Sequence, residues 1–254
     1  FKDTAYWLDD LPSAPALPDQ PLSYVDVVIV GSGYTGLNAA LETARGGRST
    51  MVLDAQDPGW GCSTRNGGQI STSVKPSLEK LTAKFGAERG KAIRIEGQAA
   101  LEWIEDRIKV EGLDCDFNRS GRYHAAHTPQ HYEELARDAD TLTKTEGIPA
   151  FTVSRQTQRS ELGSDAYFGG VVFPRHASIN PAKYHRGLLA RVLASGAHVT
   201  GNCAVLDITR DASGFTLATT KGKVRARDVI VATNGYTSSL TPWMRRRVIP
   251  IGSY

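Results

Sequence analysis

A short apolar run, Val25-Asp-Val-Val-Ile-Val30, leads through Gly-Ser-Gly into a segment whose apolar positions change period. Leu37, Ala40, Leu41 and Ala44 recur at i, i+3, i+4 and i+7, the spacing of one helix face, until Gly46-Gly47 stops the pattern. Ser49-Thr-Met-Val-Leu53 is again a short apolar run, so this stretch predicts strand, helix, strand: a βαβ unit with buried parallel strands. Residues 1–23, rich in Pro and Asp and without a period, predict an extended surface arm.

Further along, residues 77–85 and 87–110 predict helices, the second with Leu101, Ile104 and Ile108 as its buried stripe. Residues 116–124 predict a strand. Thr128-Pro129 and Asn180-Pro181 each place a capping side chain before a proline, which predicts helices starting there, the first running to about Lys144. In the second, Leu188, Leu189, Val192 and Leu193 face inward before Gly196 ends it. Strands are predicted over residues 150–154, 168–173, 198–208, 214–219, 223–226 and 229–232, with no internal repeat.

The strand-to-helix junction carries Gly31-x-Gly33-x-x-Gly36. Gly31 permits the tight bend, Gly33 lets backbone approach a pyrophosphate, and Gly36 lets helix pack on strand, with the phosphates at the positive helix end. Asp54 closes the second strand about 20 residues past Gly31, where an acidic side chain holds the ribose hydroxyls of an adenine dinucleotide. The glycine turn does not separate NAD from FAD. Residues 58–69, Pro-Gly-Trp-Gly-Cys-Ser-Thr-Arg-Asn-Gly-Gly-Gln, are more informative, because a plain NAD fold needs only a short connection there. A loop so dense in glycine and small donors is able to run along a pyrophosphate toward the far end of a longer cofactor. The run Asp228-Val-Ile-Val-Ala-Thr-Asn-Gly-Tyr236 adds a second glycine turn at a strand's carboxyl end, where open α/β sheets place ligands.

Together with Tyr6-Trp-Leu-Asp9, these motifs resemble the D-amino-acid-oxidase-like superfamily of FAD-dependent oxidoreductases, and within it the gamma-glutamylputrescine oxidoreductase-like group. The resemblance runs from Tyr6 onward. It implies an α/β chain in which a Rossmann-like FAD-binding domain, residues 24–74 and 178–241, is interleaved with a partial α+β substrate domain, residues 75–177 and 248–254. It implies FAD as cofactor and oxidation of a C–N bond. Gly31, Gly33 and Gly36 would hold the pyrophosphate, Asp54 the ribose, Ser63 the phosphates or ribityl chain, and Asn66, Gly67, Gly68 and Gln69 the flavin neighbourhood. The turn Ala232, Thr233, Asn234 and Gly235 joins this set, and Val205 would lie beside the adenine, using its backbone; a plain sheet valine would look the same. Arg65 has two readings, a counter-charge to the cofactor or a surface arginine, and with Gln69 it is a candidate for the substrate side or for tuning the flavin. Cys62 stands where the group's loop has a small residue, leaving open whether it meets the flavin or fills space. In the family the segment like residues 248–254 starts a strand of the substrate domain, so a C-terminal portion is expected to follow, or a second chain to complement this one.

Composition excludes classes more than it assigns one. Of 254 residues 40% are hydrophobic and 22% charged, enough for a sizeable core, and 30 basic against 27 acidic residues leave only +3. The cluster Arg245-Arg-Arg247 reads as a solvated loop, so no nucleic-acid partner is expected. Cys62, Cys115 and Cys203 lack CxxC spacing and read as reduced thiols of a cytoplasmic protein. No apolar run reaches the length of a transmembrane helix. His124, His127 and His131 are expected to point apart, and His176 and His185 lack partners at ligand spacing, so no metal is expected. No nucleophile motif, second GxGxxG or redox CxxxxC pair occurs, which disfavours monooxygenases and disulfide reductases. The leading expectation is an amine or amino-acid substrate giving a hydride to flavin N5. The alternatives are an amino-acid or sarcosine-type dehydrogenase passing electrons to quinone or a partner subunit, and a non-catalytic FAD-binding fragment or subunit.

Overall fold

In the computed structural model, which describes residues 4–9, 11 and 13–250, the elements follow in chain order. They are β1 (Tyr24–Val30), α1 (Tyr34–Arg45), β2 (Thr50–Leu53), β3 (Gln69–Ser71), α2 (Leu78–Phe85), α3 (Ala87–Glu111), β4 (Arg122–Ala125) and α4 (Pro129–Glu146). Then come β5 (Phe151–Val153), β6 (Gly170–Phe173), β7 (His176–Ser178), α5 (Pro181–Ala194), β8 (His198–Thr200), β9 (Val205–Asp211), β10 (Gly214–Thr219), β11 (Gly222–Val231) and α6 (Pro242–Arg245). Single 3-10 turns lie at Tyr6–Leu8, Cys62–Thr64, Gln158–Ser160 and Asn234–Tyr236.

The chain divides into two compact units, one of residues 1–67, 113–115 and 180–254, the other of residues 68–112 and 116–179. The first is built on a six-stranded sheet in the order β8-β2-β1-β11-β10-β9. Its first four strands are parallel and its last three form an antiparallel meander. The centre strand, β1, shows why: Val25, Val28 and Ile29 are fully buried, which a strand achieves only when both faces are covered. Leu37, Ala40 and Leu41 of α1 are buried on one side, and Leu188, Leu189 and Val192 of α5 face inward too. Asn180 caps α5, its Oδ1 accepting from the N–H groups of Ala182 and Lys183 at 3.1 Å each, ahead of Pro181.

The second unit pairs a three-stranded antiparallel sheet, β4-β6-β5, and the ribbon β3-β7 with α2, α3 and α4. Thr128 caps α4 by accepting from His131 N–H at 3.1 Å, and Gly112, at φ +60°, ends α3 in the left-handed region. Leu101 and Ile108 are buried on α3, while Ile104 is half-buried.

Several elements differ from the sequence pattern, each for a local reason. The strand expected at 116–124 begins only at Arg122, because Asp116 (φ +53°) and Gly121 (φ +67°) interrupt the extended backbone. The run 198–208 is two strands, β8 and β9, broken where Asn202 takes φ +49° and donates to Asp57 Oδ1 at 2.7 Å. Conversely, the two short strands expected at 223–226 and 229–232 are one, β11. The strand continues through Arg227 and Asp228, with Asp228 opposite Val27 of β1 and its carboxylate on Arg48 at 2.9 Å. The unit boundaries fall at 67/68 and 179/180, so residues 68–74 lie in the second unit and residues 113–115 and 248–250 in the first. Residues 248–250 form no strand; residues 1–3 of the arm and 251–254 of the expected C-terminal strand lie outside the described residues. Within the arm, Trp7 Nε1–H donates to Asn66 O at 2.8 Å.

Candidate cofactor site

The carboxyl ends of β1 and β2 and the turn after β11 meet at the glycine turn. Gly31 donates to Leu53 O at 2.8 Å, and Ala232 donates to Val30 O at 2.8 Å. Gly31 takes φ +104°, and a Cβ there would stand 2.7 Å from Ala232 O, so both torsion and space require glycine. A Cβ on Gly36 would stand 1.9 Å from Gly31 O, which makes that glycine the contact between α1 and its own turn. Gly33 is different. Its φ is an ordinary −68°, and the one atom near a Cβ built there is the end of the Ser63 side chain, 2.9 Å away. What Gly33 preserves is open space.

That space is a cavity of ≈ 750 Å³, toward the upper end of ligand pockets, which span about 300–1,000 Å³. Gly31, Gly33, Asp54, Ser63, Asn66, Val205, Ala232, Thr233 and Asn234 line it. Gly36, Arg65, Gly67, Gly68, Gln69 and Gly235 do not. Gly68 and Gln69 belong to the second unit: Gly68 O accepts from Ile179 N–H at 2.8 Å, and Gln69 pairs with Ser178 in the β3-β7 ribbon. Gly67 has open space around it, and Gly235 faces Pro250.

Asp54 is the one charged residue on the cavity wall among the described residues. Its Oδ2 accepts from the N–H and hydroxyl of Ser32 at 2.8 and 2.5 Å, and its Oδ1 accepts from Gln56 N–H at 3.0 Å. The carboxylate thus ties the glycine turn to the end of β2, with lone pairs left for further donors such as ribose hydroxyls. No lysine or arginine lines the cavity among the described residues, so an anion there would rest on backbone N–H groups and the α1 dipole. Arg65 is exposed, its guanidinium 4.8 Å from the Trp60 ring centroid.

The loop of residues 58–67 is braced internally. Thr64 Oγ1–H donates to Gly59 O at 2.5 Å, and Asn66 Nδ2–H to Cys62 O at 3.1 Å. Ser63 Oγ accepts from Tyr34 N–H at 3.1 Å, capping the first turn of α1 from outside. Cys62 is exposed at the cavity edge, where Asn234 Nδ2–H reaches its sulfur at 3.4 Å, and Trp60 packs edge-on to Tyr236. Val205, half-buried, opens β9 opposite Thr219.

Ser32, Tyr34 and His185 were missed by motif reading. Tyr34 Oη–H donates to Pro181 O at 3.0 Å, and burial raises its phenol pKa. His185 lies under the glycine turn, 2% exposed, its Nε2 2.7 Å from Ser32 O; burial lowers its imidazole pKa. The available signal was a histidine on the apolar face of α5 beside Tyr184, Leu188 and Leu189. The other histidines need a correction: His124, His127 and His131 do not point apart. Their rings gather, 5.8 Å from His124 to His131 and 5.9 Å, stacked, from His127 to His131, because β4 runs into α4 through a tight connection. Among the described residues no His, Cys, Asp and Glu cluster is arranged to hold a metal, and no helix is long and apolar enough to cross a membrane.

A family model described as FAD dependent oxidoreductase matches residues 26–254. The chain belongs to this family of FAD-binding oxidoreductases. Gamma-glutamylputrescine oxidoreductase of Escherichia coli strain K12 is 29% identical over 229 residues, covering 90% of this chain and 53% of that protein. The probable oxidoreductase OrdL of Rhizobium meliloti strain 1021 is 28% identical over 246 residues, covering 96% and 57%. The crystal structure of glycine oxidase from Geobacillus kaustophilus matches the fold with TM-score 0.74 at 20% identity, over 88% of this chain and 59% of that one. The chain spans about half the length of the curated relatives it matches.

The cavity suits the family's cofactor on its own chemistry. Gly33 opens onto it, the first N–H groups of α1 sit at its wall, and Thr233 Oγ1 is buried at its edge with no hydrogen-bond partner. A buried hydroxyl without a partner is costly unless a ligand or water supplies one.

Proposed function

We propose that the protein oxidises a C–N bond of a small amine or amino acid. The observation that carries this is the glycine-turn cavity, open at Gly33, in a chain similar along most of its length to gamma-glutamylputrescine oxidoreductase. In this reading the first unit is the cofactor unit and the second contributes to the substrate unit. Gly33 and the α1 N-terminus hold the pyrophosphate, Asp54 the ribose hydroxyls, and Thr233 donates or accepts one bond along the cofactor. Bound FAD supplies the hydride acceptor, which leaves the protein the work of positioning, so the lack of a protein nucleophile fits the chemistry. Cys62 is then a spacer at the loop edge and not a nucleophile. The compartment that suits three free thiols is the cytoplasm.

The test is spectroscopic. Under anaerobic conditions the flavin absorbance of the purified protein is followed while polyamines and amino acids are added one at a time. Bleaching by a member of either group supports the proposal and identifies the substrate class. A flavin-loaded protein bleached by dithionite but by no amine or amino acid overturns it in favour of a non-catalytic FAD-binding subunit. Peroxide formed on readmitting oxygen marks an oxidase; reoxidation by a quinone alone marks a dehydrogenase.

A further inference from the structure

His185 is buried on α5, far in sequence from the glycine turn, yet its ring touches the two backbone segments that shape the cofactor cavity. Its Nε2 lies 2.7 Å from Ser32 O, and a carbonyl only accepts, so Nε2 carries the proton. The opposite edge of the ring, Cε1 and Nδ1, stands 2.8 Å from where a Cβ on Gly59 would be. Gly59 is therefore glycine for two reasons, its φ of +89° and the imidazole against it. Ser32 is fully buried, and its N–H and hydroxyl are already committed to Asp54. His185, Ser32 and Asp54 form one chain of hydrogen bonds through the residue between the first two glycines.

We propose that His185 is a positioning residue for the cofactor, fixing the Ser32–Gly33 peptide so that the Gly33 N–H is presented to the pyrophosphate. The reason is the geometry of a trans peptide, in which C=O and N–H point in opposite directions. Anchoring the Ser32 carbonyl on His185 turns the Gly33 N–H away from the protein interior, at the residue that opens onto the cavity. A peptide flip at this point would aim a carbonyl, not an N–H, at the phosphates, and Gly33 has no side chain to resist it. A neutral imidazole suits the task, since it adds a donor without adding a buried charge. Burial acts in that direction on His185, with Arg186 opposing protonation and Asp54 and the Ser32 carbonyl favouring it. The inference rests on family membership and cofactor, not on the amine reading.

The experiment compares the parent chain with His185→Gln, whose amide N–H is able to replace Nε2–H, and His185→Leu, which has no donor. FAD affinity is measured by flavin fluorescence, the unfolding midpoint of each apoprotein by urea, and the tautomer by 15N–1H correlation of the histidine rings. The expected result is near-parent affinity for His185→Gln and a loss of about tenfold or more for His185→Leu, with Nε2 of the parent protonated and Nδ1 bare. A purely structural role would lower the apo midpoints of both variants and leave their affinities for FAD together. Equal affinity in parent and His185→Leu, equal losses in both variants, or an Nδ1–H tautomer would overturn the proposal. Should His185→Leu fail to fold, the glutamine variant and the tautomer decide. A parent that takes up no FAD would overturn the cofactor assignment itself, an outcome distinct from a parent that binds FAD with the wrong tautomer.

Discussion

The three glycines of the turn do different physical work, and substitutions separate them. Gly36→Ala puts a methyl where the carbonyl of Gly31 stands, at 1.9 Å, so the apoprotein itself should be destabilised by several kcal/mol, about 2–4, read from its urea midpoint. Gly33→Val meets the Ser63 hydroxyl, 2.9 Å from a Cβ, and otherwise faces the cavity, so it should lower the apo midpoint far less than Gly36→Ala while abolishing FAD retention on gel filtration. A variant at Gly33 that unfolds, or one that keeps its flavin, would contradict that division. Asp54→Ala removes acceptors from Ser32 and Gln56 as well as from a ribose. It should lose about 1.5–3 kcal/mol of FAD binding energy and also lower apo stability, both measurable by titration and urea unfolding. Cys62→Ala should keep its flavin and its substrate-dependent bleaching, because among the described residues the bond the thiol accepts, from Asn234, is a weak one. Loss of bleaching with flavin retained would give the thiol a role in the chemistry.

At the level of elements, the parts legible in the sequence were those whose signal is local. The β1-turn-α1-β2 unit announces itself through a change of period across three glycines, and α4 and α5 through a capping side chain followed by proline. Asn180 shows how much rests on such a cap: two N–H groups bond to its side chain, so Asn180→Ala should cost about 1–2 kcal/mol by urea unfolding. As α5 also carries His185, FAD affinity is expected to fall with it. What was illegible depends on distant partners. The ribbon strands β3 and β7 have three residues each, too few to show a period, and exist because Gln69, Ile70 and Ser71 find Ser178, Ala177 and His176. Arg227-Asp228 reads as a break, but the strand continues because β1 and Arg48 satisfy it. In the site the same rule holds. Gly31 and Gly36 were readable from spacing, whereas the imidazole under Ser32 comes from a helix that no motif connects to the turn. The histidine cluster was misread because strand alternation was applied to His127, which lies past the end of β4.

For the whole molecule the buried imidazoles set a pH dependence whose sign follows from linkage. His176 in the second unit and His185 in the first are 4% and 2% exposed, and burial lowers the pKa of each from 6.5, with Arg122 adding to the effect at His176. In the unfolded chain both protonate as pH falls through about 6.5; in the native protein they resist. The unfolded state then binds more protons, so native stability is full above that pH and declines below it, until the lower native pKa values are reached. Carboxylates held below their ordinary range, such as half-buried Glu105 beside Lys109 and Arg119, act in a separate window, at and below about pH 4.5. Between about pH 7.5 and about pH 5.5 the histidine contribution should therefore stand alone and lower stability, with His124, whose pKa desolvation also lowers, acting in the same direction. Urea unfolding at the two pH values measures it, and His185→Gln should reduce the slope because one of these imidazoles is gone. A protein equally stable at both pH values would show that these rings titrate in the native state as they do in the unfolded chain, and one more stable at the lower pH that the native state holds their protons more tightly; the apolar surroundings of His185 argue against both.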